Sequence, residues 1–336
     1  MHIILIFTVF AALLSFFATQ VLLNILRHSA FLDYPNNRSS HAIPTPRGGG
    51  IAVIATITVT AISWEICFGK TNGNLSIMLC TTIALSVISF INDLSNLTAS
   101  LRLIAHGIAV MVGLWSLGGR GAFGAYLPQI ADLTLSAIAW IWFINLYNFM
   151  DGIDGIVAGE TAFLGFGIES LAYLGLAPTS LVSLSVAIFG TSLGFLMWNW
   201  HQAKIFLGDS GSIPLGFMIG YLLIATAKLG GPALVASLIL PLVFVVDSSL
   251  TLLRRVIQGN KMTAAHREHA YQLATQAGWS HDSVCLIVLA TNCILMVLSW
   301  GVLLINPLFS LFLGMIVALG CFFFLLKIGT RAQRTA

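Results

Sequence analysis

Between residues 145 and 155 the chain reads Asn-Leu-Tyr-Asn-Phe-Met-Asp-Gly-Ile-Asp-Gly, so that Asn145, Asn148, Asp151 and Asp154 recur at every third position. Residues three apart are neighbours on a helix, although each such step drifts about 60° because a turn takes about 3.6 residues. The four groups would therefore cover about half a helix circumference. A break after Met150, made plausible by Gly152 and Gly155, would gather the carboxylates and amides around one point. Apolar runs flank the stretch, Leu133–Ile144 before it and Ile156–Leu176 after it. An Asp at the centre of a lipid-facing helix costs about 2.5–3.5 kcal/mol on insertion scales, so these side chains should face water or line a polar cleft. The plainer alternative is a polar loop between two membrane helices.

Other polar clusters carry compatible chemistry. Phe206-Leu-Gly-Asp-Ser-Gly-Ser212 places Asp209 between glycines, with Pro214 suited to the first turn of a following helix. Free N–H groups at a helix start suit phosphate. Asp209 would repel phosphate unless a cation lay between them, and Mg²⁺ is held by one or two carboxylates plus substrate phosphates. A simple N-cap role is the alternative. Asp93 ends an apolar run, where it could bind a cation, take a proton from a lipid phosphate, or cap a turn; Arg102 opens the next run. Arg38, His41 and Arg47, among Ser39, Ser40 and Thr45, form a segment that suits phosphate or lipid head groups. Asp247 precedes Arg254 by two helical turns and is an ion-pair or functional candidate. His266 and His269 would share a helix face beside Arg267: a zinc pair without an evident third ligand, an anion clamp, or a solvated helix.

The elements that must position these groups span a membrane. The chain is 58% hydrophobic and 8% charged, against about 25% charged in soluble domains. The expected fold is all-α and polytopic, one transmembrane domain over 1–336 with about 11 spans, each near the roughly 20 residues that cross a bilayer. They fall near 1–26, 49–68, 75–91, 102–118, 132–148, 156–175, 179–199, 212–227, 233–255, 283–304 and 308–326. The first reads as a retained helix stopped by Arg27, since it lacks the basic start of a cleavable signal. With the connection after Arg27 in the cytoplasm, twelve of the 15 Lys and Arg residues fall inside and only Lys70, Arg120 and Lys228 outside. This puts the N-terminus outside and the C-terminus in the cytoplasm. The loops near 27–48, 92–101, 149–155, 200–211 and 256–282 then share the inner face and would form the active site. The five cysteines sit in apolar runs and read as small hydrophobes. The net charge of +3 fits this topology and gives no reason to expect a nucleic acid partner.

Carboxylates, cationic donors and a bilayer at one face suggest phosphoryl transfer from a soluble nucleotide to a lipid. Asn-x-x-Asn-x-x-Asp-Gly-x-Asp-Gly at 145–155 and Phe-x-Gly-Asp-x-Gly-Ser at 206–212 resemble the polyprenyl-phosphate N-acetylhexosamine-1-phosphate transferases, glycosyltransferase family 4. The likeness runs through nearly the whole chain. The His-Arg-x-His-Ala-Tyr-Gln version is most similar to the O-antigen-initiating branch, which uses UDP-N-acetylfucosamine or UDP-N-acetylquinovosamine. The resemblance implies a bacterial inner-membrane enzyme that moves a sugar-1-phosphate from a UDP-N-acetylhexosamine to undecaprenyl phosphate. By the same resemblance Asp209 and Asn148 would contact Mg²⁺ (or Mn²⁺), and Asp151 and Asp154 would serve the nucleotide or the chemistry. Asp93 would meet the lipid phosphate, and His266, Arg267 and His269 the diphosphate; Arg38, His41, Arg102 and Asn145 complete the expected substrate contacts. Asn92 stands where the family usually has a first Asp. A homodimer is compatible with this reading. A secondary transporter also builds polar sites on broken helices, but near mid-membrane and in repeats. A CDP-alcohol phosphotransferase needs Ala-Arg soon after its Asp-Gly, and Ile156-Val-Ala-Gly-Glu follows here.

Overall fold

The computed structural model describes residues 2–27, 32–34, 43–68, 73–95, 97–260 and 266–335, with side chains to 330. Arg38 and His41, and Lys70 and Lys261 of the charge count, lie outside the described residues. The chain forms α1 (His2–Arg27), α2 (Gly50–Phe68), α3 (Gly73–Ser95), α4 (Ala99–Ser116), α5 (Gln129–Phe149), α6 (Ile156–Tyr173) and α7 (Val182–Asn199). Then come α8 (Asp209–Ala227), α9 (Gly231–Ile239), α10 (Leu242–Ile257), α11 (Ala270–Gln276), α12 (His281–Gly301) and α13 (Pro307–Thr335). The strands β1 (Leu32–Asp33) and β2 (Thr45–Pro46) pair antiparallel, Leu32 opposite Pro46.

A helix occupies each expected span, but not all are simple crossings. Among the described residues nine helices are long and apolar enough to cross a bilayer. The ninth expected span is instead the pair α9 and α10, bent by 64° at a break before Pro241. The sixth, α6, carries Glu160 and Glu169 and falls outside the apolar set. Glu160 is fully buried and accepts a hydrogen bond from Asn292 of α12, which shields it from lipid.

The bundle is built around α8. Along its membrane-length stretch 94% of residues are buried, against 17% for α1 at the periphery. α8 packs on α2, α3, α5, α6 and α9. Trp140 of α5 stacks on Phe217 with ring centroids 5.0 Å apart and donates its indole N–H to the Phe217 carbonyl at 3.0 Å. On the opposite side Gly50 opens α2 against the backbone of α8. A Cβ there would lie 2.2 Å from Gly211 N, so only glycine permits this approach.

The start of α8 departs from expectation. The helix begins at Asp209, which leaves Pro214 inside it. Proline has no N–H to give the carbonyl four residues back. That carbonyl, of Ser210, instead accepts the Ser86 hydroxyl of α3 at 2.8 Å. The local defect is thereby turned into an α3–α8 cross-link that seats the first turn of α8 against the end of α3.

Candidate active site

The ends of α3 and α5 meet the starts of α2, α4 and α8. Asp209 is the first residue of α8, and four side chains converge on its carboxylate. Arg47 donates to Oδ1 at 2.7 Å, Asn148 to Oδ1 at 3.2 Å and Asn92 to Oδ2 at 2.8 Å, while Arg102 stands 3.9 Å from Oδ2. Arg47 also lies 3.1 Å from Asp93, so one guanidinium bridges two carboxylates. Burial works against the Arg47 charge, but Asp209 and Asp93 outweigh it and raise its pKa. Arg47, Asn92, Asp93, Leu97, Arg102 and Asp209 line a polar cavity of about 190 Å³.

Asp93 occupies the place foreseen for phosphate. Its carboxylate accepts the N–H groups of Asp209 at 3.3 Å and Ser210 at 3.1 Å, the free donors of the first turn of α8. The capping alternative for Asp93 is therefore realised, across two helices rather than within its own loop. Asn92 stands where the resemblance implies a first Asp. Its amide donates to Asp209 while its Oδ1 accepts Leu97 N at 2.9 Å. A neutral donor thus sits where a second acid would face Asp209.

The 145–155 stretch divides as its glycines allow. α5 ends at Phe149 and α6 begins after Gly155, whose φ of +79° is the left-handed region that favours glycine. Asn148 joins Asp209 and also donates to Ser212 Oγ at 2.9 Å. Asn145 does not join: its amide donates to the Ile141 carbonyl at 2.7 Å, one turn back along α5. Asp151 faces the cluster. Burial, with the carboxylates of Asp209, Asp93 and Asp154, outweighs Arg47 and pushes its carboxyl up to about 7.

Asp154 lies in a separate group. Its Oδ2 is 2.8 Å from His201 Nδ1 and 3.2 Å from His281 Nδ1, and it accepts Ala203 N at 3.2 Å. Burial alone would raise this carboxyl, but contacts with His281 and His201 hold it below its ordinary value. Neither histidine was foreseen, because nothing local links position 154 to position 281.

The loop before α11 is anchored by Asp247, 3% exposed in α10. Its carboxylate meets His269 Nδ1 at 3.2 Å, Ala270 N at 3.1 Å and Tyr271 N at 3.2 Å. The anticipated Asp247–Arg254 pairing is replaced: Arg254 donates to the Glu268 carbonyl at 2.8 Å and Arg255 pairs with the Glu268 carboxylate. Residues 266–269 precede α11 and are not helical, yet the His266 and His269 rings stack with centroids 5.0 Å apart. Burial, then His269, Arg255 and Arg254, lower His266 to about 4. Arg267, between the two rings in sequence, is the charged side chain of the three that the sequence offered for an anion. Tyr271 Oη donates to the Phe149 carbonyl at 2.9 Å and ties this loop to the end of α5.

Fold and site together define a polytopic membrane protein with an acid–amide–guanidinium pocket at one end of its bundle. Residues 75–227 match the family described as glycosyl transferase family 4. The matched stretch holds both motifs, at 145–155 and 206–212, and the family is the one that they resemble. It is 27% identical over 269 residues to a probable undecaprenyl-phosphate N-acetylglucosaminyl 1-phosphate transferase of Bacillus subtilis (strain 168), covering 76% of this chain and 73% of the relative. It is 28% identical over 319 residues to a decaprenyl-phosphate N-acetylglucosaminephosphotransferase of Mycobacterium leprae (strain TN), covering 83% and 78%. A phospho-N-acetylmuramoyl-pentapeptide-transferase of Bacillus thuringiensis (strain Al Hakam) is 27% identical over 278 residues, covering 76% and 82%.

Proposed function

We propose that this chain transfers a sugar-1-phosphate from a UDP-N-acetylhexosamine to undecaprenyl phosphate, leaving a lipid-diphospho-sugar and UMP. The setting is the cytoplasmic face of a bacterial inner membrane, with one transmembrane domain whose inner loops form the active site. The step is the first membrane reaction of O-antigen or a related surface polysaccharide. The observation that carries this reading is the convergence of Asp93 and Asp209, from helix ends 116 residues apart, on one guanidinium beside Asn148.

A divalent ion fits this pocket. Arg47 already stands as a cation between two carboxylates, and oxygen donors suit Mg²⁺ or Mn²⁺. Asp209, Asn148 and Asp93 would hold it. When bound, it supplies neutralisation of charge on the diphosphate.

The residues divide the remaining work. Arg47 and Arg102 draw the lipid phosphate to the inner-leaflet edge of the cavity, and Asp93 orients the α8 turn that carries Asp209. Asp151, held near 7, accepts the proton of a monoprotonated lipid phosphate. A lipid phosphate oxygen forms the new bond to the sugar-bearing phosphorus, and the bond from that phosphorus to UMP breaks. Arg267 and His269 hold the diphosphate oxygens. The sequence version at 266–272 favours UDP-N-acetylfucosamine or UDP-N-acetylquinovosamine as donor.

Purified protein given undecaprenyl phosphate, Mg²⁺ and a panel of UDP-N-acetylhexosamines should release UMP, with the lipid product identified by mass spectrometry. Absence of UMP across the panel, or an Asp209→Ala variant as active as the wild type, overturns the assignment.

A further inference from the structure

We propose that Asp154, His201 and His281 form a second metal site, selective for zinc-class divalent ions, which clasps three loops at the rim of the cleft. The three come from distant segments: the turn after α5, the segment after α7 and the first residue of α12. Their ligand atoms all lie within 4.8 Å of one another. The Asp154 Oδ2 to Nδ1 separations are 2.8 Å for His201 and 3.2 Å for His281. Ligands at about 2.0–2.2 Å from a tetrahedral zinc stand about 3.4 Å apart, so modest adjustment encloses an ion.

The contacts inside the cluster suit a cation. The Asp154 backbone N–H makes only a long contact to His281 Nδ1, at 3.3 Å. The same nitrogen lies 3.2 Å from Asp154 Oδ2, another acceptor. One ring nitrogen carries either a proton or a lone pair, so it cannot both accept the N–H and donate to the carboxylate. A cation on Nδ1, a metal ion or a proton, takes that lone pair in place of the long N–H contact and joins the nitrogen to the carboxylate.

Two imidazoles and one carboxylate suit zinc-class ions over Mg²⁺, which prefers oxygen. Asp154 and His281 are buried, while His201 keeps 32% of its side chain exposed, giving the ion a route in and a solvent-facing fourth position. The surroundings are tied to the same point: Gly155 N donates to Asn199 Oδ1 at 3.1 Å and Cys285 Sγ to the Asp154 carbonyl at 3.2 Å. Bound metal would fix the turn after Asp151 relative to α12. The inference is independent of the transferase reading.

The test uses full-length Asp209→Ala protein, stripped with chelator in detergent and titrated with Co²⁺ alone. We expect one equivalent bound, with the visible absorption of four-coordinate Co²⁺, displaced by Zn²⁺ and not by Mg²⁺. Adding His281→Ala should abolish it. No Co²⁺ bound by Asp209→Ala, or equal binding by both proteins, overturns the site. In the wild-type background Zn²⁺ should raise Tm, and exposed His201→Ala should cancel the rise. Equal rises in both overturn it too, and leave a protonated imidazole pair as the account of the cluster.

Discussion

Replacing Asp247 by Asn tests how much of the histidine loop's anchoring comes from one buried carboxylate. Asp247 Oδ1 serves His269 Nδ1 at 3.2 Å and Ala270 N at 3.1 Å, and Oδ2 serves Tyr271 N at 3.2 Å. Asn keeps one accepting oxygen, and its amide N–H then faces at least one of those donors. A hydrogen bond to a charged group is worth about 1.5–3 kcal/mol, and a stranded buried N–H costs about 1–3 kcal/mol. Allowing for relaxation, the loop should lose roughly 2–4 kcal/mol of anchoring. Since each 1.36 kcal/mol is tenfold in rate, even half of that gives about a 10-fold loss in kcat/KM for the UDP-sugar, and most of it about 100-fold. KM for polyprenyl phosphate should stay within about threefold, because the Asp247 carboxylate bonds to Thr251, His269, Ala270 and Tyr271 and not to Arg47. UMP release with each substrate varied in turn, beside a thermal melt, separates these effects. Wild-type kcat/KM for both substrates together with an unchanged Tm would refute the anchoring argument. A lowered Tm with unchanged kcat/KM would remove the loop from the donor site.

Asp151 sets a pH dependence. With its carboxyl at about 7, activity that needs the ionised form should rise with pH through that value, and Asp151→Asn should flatten the limb in a pH–rate profile. Stability runs the other way. The folded carboxyl binds its proton more tightly than the ordinary value of 3.8, so its ionisation costs stability as pH rises from 3.8 through about 7. Asp151→Asn should accordingly raise Tm more at pH 8 than at pH 5, as differential scanning fluorimetry at both pH values would show. Gly50→Ala must drive a methyl into the Gly211 backbone at 2.2 Å, and overpacking of that kind costs about 1–3 kcal/mol; a lower Tm together with weakened activity should follow, and a neutral outcome would show that α2 and α8 can part. Asn92→Asp turns a donor 2.8 Å from Asp209 Oδ2 into a like charge, so Tm in chelator should fall and added Mg²⁺ should restore it.

The helical body was legible because the bilayer imposes long apolar runs, and each run could be bounded from its own residues. Asp209 and Asn148 were legible because glycine-flanked acids and amides at helix ends are rare in an apolar chain. Arg47 was visible only as one of several cations in its loop. What singles it out is the pairing of Gly48 and Gly49 with residue 206, a contact that no local pattern encodes. His201 and His281 were hidden for the same reason, since Asp154 reaches them across 47 and 127 residues. Asn145 shared the spacing of the motif but not its fate: it lies inside α5, where the nearest partner is the backbone of the preceding turn. Pro214 misled on the start of α8, because the Ser86 hydroxyl on another helix supplies the bond that proline lacks.

The Phe206 carbonyl accepts both Gly48 N at 3.2 Å and Gly49 N at 2.9 Å, Phe206 N donates to the Pro46 carbonyl at 2.8 Å, and Gly50 N reaches the Leu207 carbonyl at 2.9 Å. Four rungs of main chain thus zip the strand carrying Arg47 to the strand leading into Asp209. The backbones that carry the guanidinium and its acid are therefore joined, and neither loop moves without the other. The segment ahead of α11 is held differently, by side chains, with Asp247 under its main chain and Arg254 and Arg255 on Glu268, so it can shift without breaking that ladder.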